Sequence, residues 1–175
     1  NFQGDAPLTP SWFVEDLIQV FKEDTNAQIA TPVLTLDTMA LKAFKLDATK
    51  KRYNDWDELL NYCKFSANPV GRFFIDLTYV EQNIKIKEKK RILKSSDNLC
   101  TALQIINHIQ DCKEDFEKLD RIYLPISYFN RYQIDFEILK KDNSCENFKK
   151  LKKEMIIKVE DLLDSSKSGL KLIKI

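Results

Sequence analysis

Two amides and two carboxylates are the residues of this chain best placed to do chemistry: Gln104, Asn107, Asp111 and Asp115. On an α-helix, which turns by about 100° per residue, their spacing places all four within about 80° of arc. Asp111 and Asp115 then lie one turn apart, with Cβ atoms roughly 5–6 Å from each other, so their charges repel unless solvent or a cation screens them. The spacing predicts an acidic stripe suited to a cation.

The cation that fits this stripe is a hard divalent ion. Mg²⁺ binds one or two protein carboxylates and completes its shell with water and substrate phosphates. Asn107 and Gln104 could add an oxygen ligand or a hydrogen bond to a metal-bound water. Further along, Arg121 offers a forked cation and Tyr123 a phenol, and both suit phosphate oxygens. The set suggests a diphosphate held through Mg²⁺, with an ordinary solvated helix face as the alternative reading.

Charge, cysteine content and hydropathy limit the partners. The 175 residues carry 28 Lys and Arg against 27 Asp and Glu, and this net charge of +1 gives no bulk attraction to nucleic acid. The 4 cysteines show no C-x-x-C spacing, so we expect reduced thiols in a cytoplasmic protein. No apolar run approaches the ~20 residues that cross a bilayer. Peripheral membrane association and oligomeric state stay open. His108, the only histidine, is expected to pack beside the stripe.

The elements that must position these residues are helices. Only 3 Gly and 5 Pro in the chain favour an all-α protein, and a single domain over 5–175 is predicted after a tag remnant at 1–4. Asp55 followed by Glu58 has the pattern of a capping box at a helix start. A loop or irregular junction is expected at 25–36. The predicted helices cover about 9–24, 37–48, 55–65, 72–83, 95–115, 128–139 and 146–163.

The segment 66–72 interrupts this helical pattern. Pro69 removes an amide donor and disfavours helix at Asn68, while Gly71 permits close approach of a packing partner. A simple turn between two helices explains the segment, and so does a break that exposes backbone groups to a ligand. Both interpretations stay open from spacing alone.

Two blocks of the sequence resemble a known family. The run at 96–115 with R-I-Y-L-P at 121–125 resembles the second aspartate-rich motif of squalene/phytoene synthases. The block K-K-R-Y-N-D-W-D-E-L-L-N-Y-C-K-F-S-A-N-P-V-G-R at 50–72 is similar to the preceding segment of that family. Its part Y-C-K-F-S-A-N-P-V-G-R at 62–72 is most like the hydroxysqualene synthase branch of bacterial squalene and hopanoid pathways. The resemblance covers roughly 43–163.

The resemblance implies an enzyme with an all-α, isoprenoid-synthase-like helical bundle around a central cavity, here incomplete at both ends. The implied reaction is Mg²⁺-dependent ionisation of presqualene diphosphate, with water capture to hydroxysqualene. Alternatives are a squalene or phytoene synthase that uses farnesyl or geranylgeranyl diphosphate, and a non-catalytic relative that acts in assembly or binding. The implied metal ligands are Asp111, Asp115 and Asn107, with Gln104 beside them. Arg121 and Tyr123 would contact the diphosphate, and the hydrocarbon cavity would be lined by Tyr62, Ala67, Val70 and Gly71.

The chain departs from the family pattern in three ways. The first aspartate-rich motif is absent, since Asp111 and Asp115 form the chain's only D-x-x-x-D. Arg121 stands one residue further from Asp115 than is usual, with Leu119 and Asp120 where the family often has a glycine. The chain is also shorter than a full family member. As given, it would carry one half of a two-sided metal site.

Overall fold

The computed structural model describes residues 38–82, 86–141 and 145–173. The chain divides into two units, Asn1–Leu36 and Asp37–Ile175, and everything described here belongs to the second. The helix expected at 9–24, the junction at 25–36 and the tag remnant at 1–4 lie outside the described residues. The single-domain boundary at 5–175 stays a prediction.

The described part of the chain is all-α, as predicted. Its extended segments form one isolated parallel bridge, between Arg52 and Ile122. None of the helices in this part is long and apolar enough to cross a membrane. The helices are α1 (Thr38–Thr49), α2 (Trp56–Ser66), α3 (Asn68–Gln82), α4 (Ile86–Gln110), α5 (Cys112–Leu119), α6 (Ile126–Arg131), a 3₁₀-helix (Phe136–Lys140) and α7 (Glu146–Leu170).

The start of α2 confirms the predicted capping box. Asp55 has extended backbone geometry, and its side chain accepts a hydrogen bond of 2.8 Å from the Glu58 amide. The Glu58 carboxylate reaches back to the amide of Asn54 and also pairs with Lys50. The Glu58 amide, one of the donors that a helix start leaves unpaired, is therefore satisfied by a residue close in sequence, which is why the sequence pattern was sufficient here.

Several predicted helix boundaries are wrong, and the last helix ends at Leu170 instead of 163. The motif helix does not begin at Ser95 or Ser96, because both lie buried inside α4, nine or more residues past its start at Ile86. The helix expected from residue 72 begins already at Asn68, since Pro69 occupies its first turn, where no amide donor is needed. The helix expected at 128–139 breaks after α6, because Gln133 takes a left-handed conformation with φ 52°.

The core lies between the two longest helices, α4 and α7, which make the most extensive helix contact of the described part. The two helices approach closely at Gly169, whose amide donates to Ser95 Oγ at 3.1 Å. A Cβ atom on Gly169 would lie 2.3 Å from Ser95 Oγ and 2.7 Å from the Arg91 carbonyl oxygen. Apolar side chains fill the remainder of this interface, including the fully buried Ile105, Leu151 and Met155.

An extended connection between α1 and α2 runs beside the segment that follows α5. The amide of Ile122 donates to the Lys51 carbonyl at 2.9 Å, and the amide of Ile126 donates to the Tyr53 carbonyl at 2.8 Å. Tyr53 and Tyr123 stack with ring centroids 5.4 Å apart. This pairing brings the end of α1 next to the residues that follow the acidic stripe.

Candidate functional site

The acidic stripe spans two helices instead of one. Helix α4 ends at Gln110, Asp111 has φ −91° and ψ 6°, and α5 begins at Cys112. The amide of Asp111 still donates to the Asn107 carbonyl at 2.8 Å, and the amide of Asp115 donates to the Asp111 carbonyl at 2.8 Å. The prediction of one continuous helix is therefore wrong at Asp111. The backbone bonds across the bend nevertheless keep Asn107, Asp111 and Asp115 in four-residue register.

The two carboxylates of the stripe, Asp111 and Asp115, repel each other. Asp111 is exposed, whereas Asp115 is partly buried. Burial raises the pKa of Asp115, the charge of Asp111 raises it further, and the guanidinium of Arg121 opposes both. A cation at this position would relieve the repulsion between the carboxylates.

A left-handed residue returns the chain to the stripe after α5. Asp120 has φ 49° and ψ 40°, and its amide donates to the Phe116 carbonyl at 3.1 Å. The next amide, of Arg121, donates to the Asp115 carbonyl at 3.0 Å. The turn at Asp120 thus keeps Arg121 beside Asp115. Because glycine adopts this conformation most easily, the geometry also explains why a glycine suits the position.

Arg121 is held by two hydrogen bonds, and the described part of the chain leaves its other guanidinium hydrogens without a protein acceptor. Its Nη1 donates to the Tyr123 hydroxyl at 3.0 Å, and its Nη2 donates to the backbone carbonyl of Asp47. Its Nε is buried and has no hydrogen-bond partner in the described part of the chain. An unpaired buried donor costs about 1–3 kcal/mol, so a ligand oxygen that accepted this hydrogen would be stabilised.

The Asp47 carboxylate lies behind this arginine, among tyrosines. Its Oδ1 accepts from the Tyr62 hydroxyl at 2.8 Å and from the Tyr123 hydroxyl at 3.4 Å. Sequence reasoning did not select Asp47, because an isolated acidic residue near the end of a helix belongs to no motif. The residue becomes visible only when the fold brings α1 to the 121–125 segment.

His108 packs beside the stripe, as expected from sequence. Its ring stacks on Tyr123 with centroids 3.6 Å apart, and the Gln104 amide donates to its Nε2 at 3.1 Å. Burial and the nearby charge of Arg121 lower the pKa of His108 to about 3. The imidazole is therefore neutral at physiological pH and adds no charge to the site.

The predicted cavity residues are distributed over three environments. Tyr62 joins the Tyr123 cluster, and Ala67 is buried at the end of α2. Val70 is 58% exposed. Gly71 faces α4, where a Cβ atom on it would lie 2.4 Å from Ser96 Oγ and 2.5 Å from Cys100 Sγ. Among these four residues, the structure brings only Tyr62 to the cluster around Tyr123 and Arg121.

The donor atoms of the stripe are of the kinds that Mg²⁺ accepts in proteins. Within the described ranges, no group of three His, Cys, Asp or Glu side chains is arranged to hold a metal ion on its own. Asn107, Asp111 and Asp115 supply one amide and two carboxylates in register. Mg²⁺ accepts such a partial set when phosphate oxygens and water complete its shell.

Comparison with known proteins assigns the family. The family model of squalene/phytoene synthase matches residues 10–175. The chain belongs to the squalene/phytoene synthase family. It is 46% identical over 85 residues to the hydroxysqualene synthase of Zymomonas mobilis, and this match covers 49% of the chain and 26% of that relative. The hydroxysqualene synthase of Rhodopseudomonas palustris is 48% identical over 85 residues, with 49% and 26% covered. The aligned region is thus about a quarter of these relatives' length.

Solved structures confirm the fold. The squalene synthase HpnC of Alicyclobacillus acidocaldarius has a TM-score of 0.67 and 23% identity, covering 99% of this chain and 67% of that one. A dehydrosqualene synthase in complex with ligand has a TM-score of 0.70 and 22% identity, covering 96% of this chain and 54% of that one. The all-α isoprenoid-synthase-like architecture is therefore shared with these enzymes.

Proposed function

We propose that the protein ionises presqualene diphosphate in the presence of Mg²⁺ and directs capture of the cation by water to give hydroxysqualene. The similarity to hydroxysqualene synthases over 85 residues supports this choice of substrate. The observation that carries the proposal is the grouping of Asp115, Arg121 and Tyr123 at one end of the acidic stripe. A cation-binding face and an anion-binding guanidinium then adjoin, as a metal-bound diphosphate requires.

In the proposed site, the acidic and amide side chains bind the metal and the arginine binds the diphosphate. Asn107, Asp111 and Asp115 would hold Mg²⁺, which when bound neutralises charge on the diphosphate oxygens. Arg121 donates to those oxygens with the guanidinium hydrogens that its protein contacts leave unused, while Tyr123 orients it. The diphosphate leaves with the electron pair of the broken carbon–oxygen bond. Water adds to the rearranged carbocation and loses a proton. Donors that are fixed before the charge develops favour the ionisation.

The test is turnover by the full-length protein with presqualene diphosphate, with and without Mg²⁺. We expect released diphosphate and hydroxysqualene only with the metal. Asp111→Asn should lower the rate by about 100-fold or more, because it removes an anionic ligand of the proposed site. Asp161→Asn, an exposed change on α7, is the matched control and should leave the rate unchanged.

Two results would contradict the proposal. A wild-type protein that neither releases diphosphate nor binds it with Mg²⁺ would be a non-catalytic relative. Normal turnover by Asp111→Asn would show that the Asp111 carboxylate is not a required metal ligand.

A further inference from the structure

We propose that Asp47 is a positioning residue that fixes the Arg121 guanidinium for the diphosphate. This inference rests on the proposed function, because it assigns the orientation of the group that receives the leaving anion. Asp47 lies in α1, in neither of the two sequence blocks that resemble the family, and it acts through Arg121 instead of touching the substrate.

The first step in the argument is that Asp47 holds Arg121 from both its backbone and its side chain. The backbone carbonyl accepts from Arg121 Nη2. The carboxylate accepts from the Tyr123 hydroxyl at 3.4 Å, and that hydroxyl oxygen accepts from Arg121 Nη1 at 3.0 Å. Both terminal nitrogens of the guanidinium are therefore anchored to one residue, one of them through Tyr123.

The second step concerns the direction of the hydrogen bonds. An ionised carboxylate can only accept, so Tyr123 must give its hydroxyl hydrogen to Asp47. The lone pairs of Tyr123 are then available to Arg121 Nη1. With a neutral amide at position 47, the amide could donate to Tyr123 instead and turn its hydroxyl hydrogen towards the arginine. The carboxylate therefore selects the arrangement in which Tyr123 accepts from Arg121.

The third step is that the surroundings keep this network in one state. The Tyr62 hydroxyl gives Asp47 Oδ1 its shorter bond, at 2.8 Å. Burial, Tyr123 and Asp47 raise the pKa of Tyr62 well above its ordinary value, so Tyr62 remains a donor. On the opposite side, the ring of His108 stacks on Tyr123 at 3.6 Å. Tyr123 is thus held on its face and at its hydroxyl.

The consequence is a guanidinium with a fixed plane and an unused Nε–H. Because Nη1 and Nη2 each have a protein partner, the plane cannot rotate without breaking a hydrogen bond. A fixed donor fork loses less side-chain freedom when it binds a phosphate. Loss of the Asp47 carboxylate should therefore weaken anion binding while the helices remain folded.

A double-mutant cycle on binding of inorganic diphosphate tests this inference. The full-length protein with Mg²⁺ is titrated calorimetrically as wild type, Asp47→Asn, Tyr123→Phe and the double variant. We expect each single change to weaken binding about 10-fold, the size of one hydrogen bond to a charged group. Because both changes break the same connection, the double variant should bind within about 3-fold of the weaker single variant. Asp161→Asn serves again as the control.

A second measurement tests the hydrogen bonds among Asp47, Tyr123 and Arg121 in the absence of ligand. The Arg121 Nε–H signal is assigned in an NMR spectrum by its loss in Arg121→Lys. We expect Asp47→Asn to speed exchange of this hydrogen with water and to shift its resonance, while urea unfolding stays close to wild type. If Asp47→Asn does not fold, Tyr62→Phe replaces it, since it removes the shorter bond to Asp47 and should cause the same changes to a smaller degree.

The outcomes separate the inference from the proposed function. An unchanged Arg121 signal, or fold-losses that multiply in the double variant, overturns the inference alone. A wild-type protein that does not bind diphosphate overturns the proposed function and the inference with it. A coupled loss of affinity together with an altered Arg121 signal supports the positioning role.

Discussion

At the residue scale, His108 shows how burial decides chemistry that residue type leaves open. A histidine in the sequence of an acidic stripe and near an arginine could serve as an acid, a base or a metal ligand. Here its ring lies buried against Tyr123, and its pKa falls to about 3. The side chain therefore contributes shape and one accepting nitrogen instead of charge. Its place next to Arg121 is possible because it remains neutral.

This neutrality predicts a pH dependence of stability. The unfolded chain protonates His108 near pH 6.5 and the folded chain only near pH 3, so the unfolded state binds more protons in between. The stability that depends on neutral His108 is fully present above pH 6.5 and falls as pH decreases towards 3. Between pH 7.5 and 5.5, the free energy of unfolding should fall by about 1.4 kcal/mol more in wild type than in His108→Phe.

Urea unfolding at the two pH values measures this difference directly. The carboxylates titrate in both proteins, so their effect cancels in the comparison. His108→Phe keeps a ring on Tyr123 and removes the titrating nitrogen. Equal pH dependence in the two proteins would show that folding does not lower the pKa of His108.

At the element scale, the turn after α5 connects the acidic stripe to the arginine. Asp120 holds a left-handed conformation, and its carboxylate accepts from Lys51 at 3.0 Å and from Arg52 at 2.6 Å. The backbone geometry disfavours most side chains, whereas Asp and Asn tolerate it and glycine adopts it freely. The turn thus combines a local conformational requirement with contacts to the chain before α2.

Two substitutions separate these contributions. Asp120→Ala removes the ion pairs and places a Cβ atom in the left-handed region, so its thermal midpoint should fall by several degrees. Asp120→Gly removes the same ion pairs without backbone strain, and its midpoint should lie above that of Asp120→Ala. Circular dichroism melts measure the order. If Asp120→Ala instead melted above Asp120→Gly, backbone strain at position 120 would not determine the difference between the two variants.

The contact between α4 and α7 predicts a second effect at this scale. Gly169→Ala should lower the free energy of unfolding by about 1–3 kcal/mol, because the added methyl group meets the fixed Arg91 carbonyl as well as Ser95. Ser168→Ala, at the neighbouring exposed position, should have little effect. Ser95→Ala in the Gly169→Ala background should restore only part of the loss, since the carbonyl contact remains. Chemical denaturation of the four proteins tests this.

At the scale of the whole molecule, sequence predicted what depends on neighbours along the chain. Asp55 and Glu58 indicated the start of α2 because the capping bonds join residues three and four apart. The family and the all-α fold followed from two long blocks of sequence. Helix ends that depend on packing were missed, such as Ser95 inside α4. Gln133 ends a predicted helix although it is neither glycine nor asparagine, and no local signal marks it.

The candidate site was predicted only in part, because only some of its residues are close to each other in sequence. The stripe and the pair Arg121 and Tyr123 are close in sequence, and their spacing indicated a shared role. Asp47 joins them across 74 residues of chain, a relation that single-sequence patterns do not contain. The buried, unpaired Arg121 Nε and the stacking of His108 also arise only from packing.

The pairing of the 50–55 connection with the 121–127 segment has a consequence for the order of folding. Arg121 reaches its anchor on α1 only after a loop of 74 residues has closed, and loops of this length close late because of their entropy. The hydrogen bonds inside each helix join residues close in sequence, whereas the orientation of the arginine depends on this long-range contact. A partly folded chain in which this loop is still open would therefore lack an oriented Arg121. Opening of this one closure would remove that orientation while the helices stay intact.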